Sequence, residues 1–286
     1  MKKVLGIIGS PRKLGNSEVL IKEISRNVPE PHELSLIRLN DFNILPCKGC
    51  YMCLVTGNPC HLDDDLPVIK EAVLSADAFI VAAPAYLLGA NASLKRVLDR
   101  IMGFNENKEF KQWGKPSIGI AIAGMKGKEG YTKLNIESFL KILLTDIKRS
   151  DILYGALPGE IFMNEENKKT AAELGSALFK PAPEITGPRC LLCGGDTFRF
   201  LGDNRLQCML CSNSGTFSME KGEPVLSIQK SGHDIFLSEG DSTQHANWLT
   251  GMKGSFKDHK KKLKVITQSY AEEGLWVLPP SKKTGE

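Results

Sequence analysis

All eight cysteines of this 286-residue chain fall into two tight quartets: Cys47, Cys50, Cys53 and Cys60, then Cys190, Cys193, Cys208 and Cys211. Nothing in the sequence sends the chain to an oxidising compartment, so cysteines grouped in fours read first as metal ligands and only second as disulfides. In the first quartet, Cys47-x2-Cys50-x2-Cys53-x6-Cys60, three thiolates at x2 spacing can face one centre while a fourth arrives from a short return. Gly49, Gly57 and Pro59 let that loop wrap. The geometry suits a cubane iron–sulfur cluster, zinc suits four thiolates as well, and a redox disulfide is the remaining reading. The second quartet, Cys190-x2-Cys193-x14-Cys208-x2-Cys211, matches a zinc ribbon, two knuckles joined by a hairpin. A module of about 40 residues builds little core of its own, so a structural zinc would supply its folding energy; rubredoxin-type iron is the alternative.

Ahead of the ribbon, strand and helix signals alternate. Short apolar runs at Val4–Ile8, Leu34–Leu39, Ala78–Ala83, Ser117–Ala123 and Ile152–Leu157 read as strands. Helical patterns follow each of them: Ser17–Val28, a stretch carrying Leu66, Ile69 and Val73 behind Asp63-Asp64-Asp65, Ala92–Met102, a stretch carrying Phe139, Leu140, Leu143, Leu144 and Ile147, and Asn164–Phe179. Such repetition predicts an α/β fold, a doubly wound five-stranded parallel sheet with helices on both faces. Ligands bind beyond the carboxyl ends of such strands, at the switch point of strand order. Pro181-Ala182-Pro183 marks a linker. The expected domains are therefore 1–180 with the cysteine loop 47–60, a metal module 181–230, and a C-terminal helix and tail 231–286, the helix running from Asp241 to about Ser269 despite Gly251 and Gly254. The tail around Trp276-Val277-Leu278-Pro279-Pro280 carries no periodic signal.

The first strand meets its helix through Gly9-Ser10-Pro11-Arg12-Lys13-Leu14-Gly15-Asn16-Ser17. Backbone N–H groups and hydroxyls gathered at a helix N-terminus favour a phosphate. The loop lacks the Gly-Lys-Ser ending of a triphosphate-binding loop and the Gly-x-Gly-x-x-Gly of dinucleotide folds. It resembles the phosphate loop of the flavodoxin-like NADPH-dependent FMN reductase and iron–sulfur flavoprotein family. Ala83-Pro84-Ala85-Tyr86 followed by Ser93-Leu94-Lys95 and Leu98-Asp99-Arg100 resembles a second family block, with Ala85 in place of the usual valine. The resemblance covers residues 1–180 and implies FMN, with Ser10, Arg12, Asn16 and Ser17 on its phosphate, Pro84, Ala85, Tyr86 and Leu87 along its ring, and Gly124 near the ring's polar edge. The first quartet is similar to the compact motif of family members that carry a [4Fe–4S] cluster. The resemblance further implies a homodimer or higher oligomer, and a redox partner such as ferredoxin or NAD(P)H.

Read from the residues alone, Lys95, Asp99 and Arg100 form a helix face with its ion pairs, and His61 is a solvated neighbour of the cysteine loop. No side chain stands out as acid, base or nucleophile; in flavin and cluster chemistry the cofactor makes and breaks the bonds. The net charge, 37 − 33 = +4, is too mild to imply nucleic acid without a patterned basic surface, and the lysines of 253–264 read as a solvated helix face. A redox-sensing regulatory or scaffolding protein, binding a partner or nucleic acid through the ribbon, is the alternative to a flavin electron-transfer oxidoreductase. No stretch approaches the roughly 20 apolar residues of a membrane span. Met1-Lys2-Lys3 precedes an apolar run too short for a signal peptide, so the expected location is the cytoplasm.

Overall fold

In a computed structural model, which describes residues 1–55, 60–104, 111–275 and 277, the chain divides into two compact units, Met1–Ala246 and Asn247–Glu286. Gly57, Pro59, Trp276, Leu278, Pro279 and Pro280 lie outside the described residues. The first unit opens with strand β1 (Lys2–Ile8), helix α1 (Asn16–Arg26) and strand β2 (His32–Arg38). One helical turn in the cysteine loop, α2 (Met52–Val55), and helix α3 (Leu66–Ser75) lead to β3 (Ala78–Tyr86), a two-residue β4 (Gly89–Ala90) and α4 (Ala92–Leu98). Strand β5 (Pro116–Ala123), α5 (Thr132–Ile142), β6 (Asp146–Tyr154) and α6 (Glu165–Ala177) complete the layer.

The strands run in the order β2-β1-β3-β5-β6, all parallel, with β4 folded back antiparallel on β3. The chain turns one way from β1 to β2 and the other way from β1 to β3, so the switch point lies between β1 and β3, at the ends of the loops that follow them. Because side chains alternate across a strand, consecutive residues supply opposite faces. Leu5, Ile7, Phe79, Val81 and Ala83 join Ile69, Val73, Leu94 and Phe139 on one face; Val4, Ile8, Ala78, Ile80 and Ala82 join Leu20, Ile24, Ala171 and Leu174 on the other. Gly6 admits α1 and β2 to this sheet, since a Cβ there would come within 2.6 Å of both Ile21 and Leu36.

Helix α4 stops at Leu98, short of the expected Met102, and two later boundaries differ from the expectation as well. Leu144 adopts a left-handed φ of 64° and lies beyond the end of α5, so Ile147 belongs to β6 and not to the helix. Strand β6 then starts at Asp146 and stops at Tyr154, leaving Leu157 outside it. As an edge strand β6 tolerates charge that a central strand would not, and Lys148, Arg149 and Asp151 sit half-buried along it.

The metal module forms a second, antiparallel sheet of four strands, β7 (Phe198–Gly202), β8 (Arg205–Cys208), β9 (Ser214–Glu220) and β10 (Glu223–Ile228), in the order β10-β9-β8-β7. Its small core, Cys190, Cys208, Leu210 and Phe236, closes on Leu144, Leu134 and Trp113 of the larger layer. Lys133 of α5 adds an ion pair to Asp196 at 2.6 Å. Helix α7 (Glu239–Gln268) ends the described architecture, running through both Gly251 and Gly254. No described helix is long and apolar enough to cross a membrane.

Candidate functional site

The loop after β1 is built to leave a helix end open. Gly15 precedes α1 and no side chain caps it, so the first-turn N–H groups keep their capacity to bind an anion. Ser10 and Ser17 are buried beside that opening. Leu14 takes a left-handed φ of 53°, and its N–H donates to Glu18 Oε2 at 2.8 Å. Glu18 also meets Lys22 at 2.6 Å and Arg38 at 2.5 Å. Burial pushes the Glu18 carboxyl up, but these hydrogen bonds outweigh it and lower the pKa to about 2. A carboxylate in the first turn, at the anion-binding end itself, is thereby paired with cations and turned to hold the loop.

Of the four expected phosphate residues, Ser10 and Ser17 are buried in the loop before α1 and at its start, while Asn16 and Arg12 reach across to the loop after β6. Asn16 Nδ2 donates to the Gly155 carbonyl at 2.9 Å, and the Gly159 N–H donates to Asn16 Oδ1 at 2.9 Å. Arg12 Nη1 donates to the Ala156 carbonyl at 3.2 Å. Glu160 accepts the N–H groups of Leu157 and Ala156, at 2.6 and 2.7 Å, which hold its carboxyl below the usual range. The loops after β1 and β6 are thus one hydrogen-bonded body, a contribution of Gly155, Gly159 and Glu160 that sequence reasoning missed.

Pro84, Ala85, Tyr86 and Leu87 lie on the β3–β4 hairpin, where Ala85 pairs with Ala90 and Tyr86 with Gly89. The two-residue turn holds Leu87 and Leu88 at φ 50° and 71°, positions that favour glycine or asparagine. Each costs about 1–3 kcal/mol in such a conformation, a cost the surroundings must offset. The Tyr131 N–H anchors the turn by donating to the Leu88 carbonyl at 2.8 Å, an approach that leaves no room for a Cβ at Gly130. Leu87 is 98% exposed, and Tyr86, Leu88, Met125 and Tyr131 are exposed as well. Gly124 follows β5 and faces Ala156, where a Cβ would meet its methyl at 3.2 Å. An open helix end, buried hydroxyls and an apolar rim fit the phosphate and the ring of FMN.

The cysteine quartets differ. Cys190 and Cys208 are buried and Cys193 and Cys211 half-buried. Their sulfurs all lie within 4.8 Å of one another, with Cys190 and Cys211 3.8 Å apart and Cys193 and Cys208 3.5 Å apart. A tetrahedron with metal–sulfur bonds of about 2.3 Å has edges of about 3.8 Å, so the spacing fits one ion. The knuckles repeat each other: the Gly194 N–H reaches the Cys190 carbonyl at 2.7 Å, and the Ser212 N–H reaches that of Cys208 at 2.9 Å. Gly194 and Ser212 are both left-handed, at φ 80° and 62°. Hydrogen bonding with Cys193 lowers Cys190 to about 7, and Cys190 in turn lowers Cys211, while hydrogen bonding with Cys190 raises Cys193 and Cys208. Four thiols this close cannot all ionise alone; a cation removes the conflict.

In the first quartet Cys47 and Cys50 are exposed and Cys53 and Cys60 half-buried. All four line a cavity of about 330 Å³ with Lys48, His61, Asp99 and Arg100. His61 Nδ1 lies 3.9 Å from Cys50 Sγ, and burial, then the charge of Cys60, raises the Cys53 thiol. Among the described residues, only the second quartet gathers its sulfurs tightly enough for a single ion. The first, four thiolates around a larger space, fits the wider body of a cubane.

A clamp that sequence reasoning missed closes the base of this loop. Arg100 and Asp64, side chains 2% and 0% exposed, form a buried ion pair. Asp64 also accepts the N–H groups of Leu45 at 2.8 Å and Leu66 at 3.2 Å, and Arg100 Nη1 donates to the Leu45 carbonyl at 3.2 Å. Lys95 and Asp99 do pair along α4, whereas Arg100 turns inward.

The family of NADPH-dependent FMN reductases matches residues 2–139. An iron–sulfur flavoprotein of Methanocaldococcus jannaschii is 39% identical over 143 residues, 50% of this chain and 72% of its own. One of Archaeoglobus fulgidus is 29% identical over 177 residues, 62% of this chain and 78% of its own. Among solved structures, a flavone reductase superposes with a TM-score of 0.76 at 16% identity, covering 97% of this chain and 100% of that one, a likeness of fold. These matches place the chain: it belongs to the iron–sulfur flavoprotein family and is a flavin-dependent oxidoreductase.

Proposed function

We propose that the protein transfers electrons between a [4Fe–4S] cluster on Cys47, Cys50, Cys53 and Cys60 and an FMN at the β1/β3 switch point, while Cys190, Cys193, Cys208 and Cys211 hold a structural zinc ion. The observation that carries the reading is the cavity lined by all four cysteines of the first quartet. Bound FMN would accept one or two electrons and a cluster one at a time, so the pair converts between the two kinds of chemistry. The chain's own work is to bind and to orient. First-turn N–H groups of α1, with Ser10 and Ser17, receive the phosphate, and Asn16 and Arg12 keep that loop fixed to the loop after β6. Pro84 to Leu87 and Gly124 flank the ring. The clamp of Arg100 and Asp64 holds the cysteine loop against α4. The donor would be a redox protein such as ferredoxin, or NAD(P)H, with the site completed in a homodimer or higher oligomer.

Anaerobic purification with FMN, iron, sulfide and zinc counted per chain tests this reading. A chain replete in FMN but lacking iron and sulfide overturns it. The exposed apolar rim of Tyr86, Leu87, Leu88, Met125 and Tyr131 favours a second reading, reduction of an organic acceptor such as a quinone at the flavin, with NAD(P)H as donor and no cluster. Steady NAD(P)H-driven quinone turnover by iron-free protein would select it.

A further inference from the structure

We propose that Arg100 sets the reduction potential of the first cysteine site, its Nε–H and Nη2–H groups donating toward the sulfur of Cys60 and of the cluster held there. The inference rests on the cluster reading above. Arg100 is 4% exposed and stands on the wall of the cavity that the four cysteines line. Its Nη1 is spent on Asp64 and the Leu45 carbonyl. Nε and Nη2 are buried and have no hydrogen-bond partner of their own. Two orphaned guanidinium donors are costly in a folded interior and call for an anionic partner.

The chemistry of the cavity supplies that partner. Four thiolates on a [4Fe–4S] core leave the assembly anionic in both oxidation states, and each added electron makes it more so. A fixed cation with hydrogen bonds to the sulfurs therefore favours the reduced form more than the oxidised one. Asp64 neutralises part of the guanidinium charge and fixes its plane, so the fork is aimed and cannot swing to solvent. Arg100 is accordingly a positioning and tuning residue: it is not a ligand, and the electron does not pass through it.

The test uses the full chain, purified without oxygen, as wild type, Arg100→Gln, Arg100→Lys and the charge-neutral double variant Asp64→Asn/Arg100→Gln. FMN, iron and sulfide are counted, and the midpoint potential of the cluster is read by EPR-monitored titration. Arg100→Gln should make reduction about tenfold less favourable, a shift of about 59 mV to lower potential for one electron. Arg100→Lys, which keeps the charge but loses the fork, should shift less in the same direction. Where Arg100→Gln fails to fold and loses FMN, the double variant, which loses the guanidinium donors together with the Asp64 charge, carries a smaller shift in the same direction without a stranded Asp64. Coincident potentials in all loaded proteins, or loss of iron with no shift in the clusters that remain, reduce Arg100 to a structural clamp and overturn the proposal. Wild-type protein full of FMN but free of iron and sulfide overturns the cluster reading itself, and this inference with it.

Discussion

The two cysteine quartets use the same four ligands to opposite ends. The second is converged: buried or half-buried sulfurs at tetrahedral spacing, two matching knuckles, and a small core built around its own cysteines. The first is open: exposed or half-buried sulfurs around a cavity, held from outside by the clamp of Asp64 and Arg100. A metal in the second site would support the fold around it. In the first site the fold would support the proposed cluster. Ligand count alone does not separate these cases; what surrounds the ligands does.

The largest effect should come from stripping both sites with a strong chelator. Hydrogen exchange in strands β7 to β10 should lose its protection altogether, as expected where apparent zinc-binding energies of about 10–16 kcal/mol are folding energy. Protection in β1 and β3 should persist. Equal loss in both regions would break the contrast. Next, Asp64→Asn should destabilise the first unit by about 3–5 kcal/mol in denaturant titration, because it leaves the Arg100 charge buried and unpaired. Cys50→Ser, on an exposed thiol of the same loop, should stay within about 0.5 kcal/mol in metal-free protein.

The parallel strands and their order of appearance are legible in the sequence because buried strands read as unbroken apolar runs, as at Ala78–Ala83 and Ser117–Ala123. Strand β6 is half-hidden, since it is an edge carrying Lys148, Arg149 and Asp151, and Leu144 closes the turn after α5 as a left-handed residue with no glycine to announce it. Both quartets are legible from spacing, as is the ribbon. The difference in their surroundings is not, because Asp64 and Arg100 lie 36 residues apart, one in an acidic run that reads as helix-capping carboxylates and the other on a helix face that reads as local ion pairs.

Smaller effects sharpen the account at the flavin site. Glu18→Gln should cost about 1.5–3 kcal/mol, the worth of charge-assisted hydrogen bonds. With a folded-state pKa lowered from 4.5 to about 2, Glu18 contributes stability fully present above pH 4.5 and lost as pH falls toward 2. In Glu18→Gln that part of the acid sensitivity should vanish from urea midpoints measured across the same range. Asn16→Ala, which severs two hydrogen bonds between the loops after β1 and β6, should weaken FMN binding about tenfold by fluorescence titration while leaving the melting of the ribbon unchanged.

The most direct test of the contrast is element-resolved anomalous diffraction on anaerobically grown crystals, collected at the iron and zinc edges. The account predicts iron density within the cavity of Cys47, Cys50, Cys53 and Cys60, and a single zinc peak among Cys190, Cys193, Cys208 and Cys211. The same single-ion signal at both quartets, or iron at the second and none at the first, would contradict it.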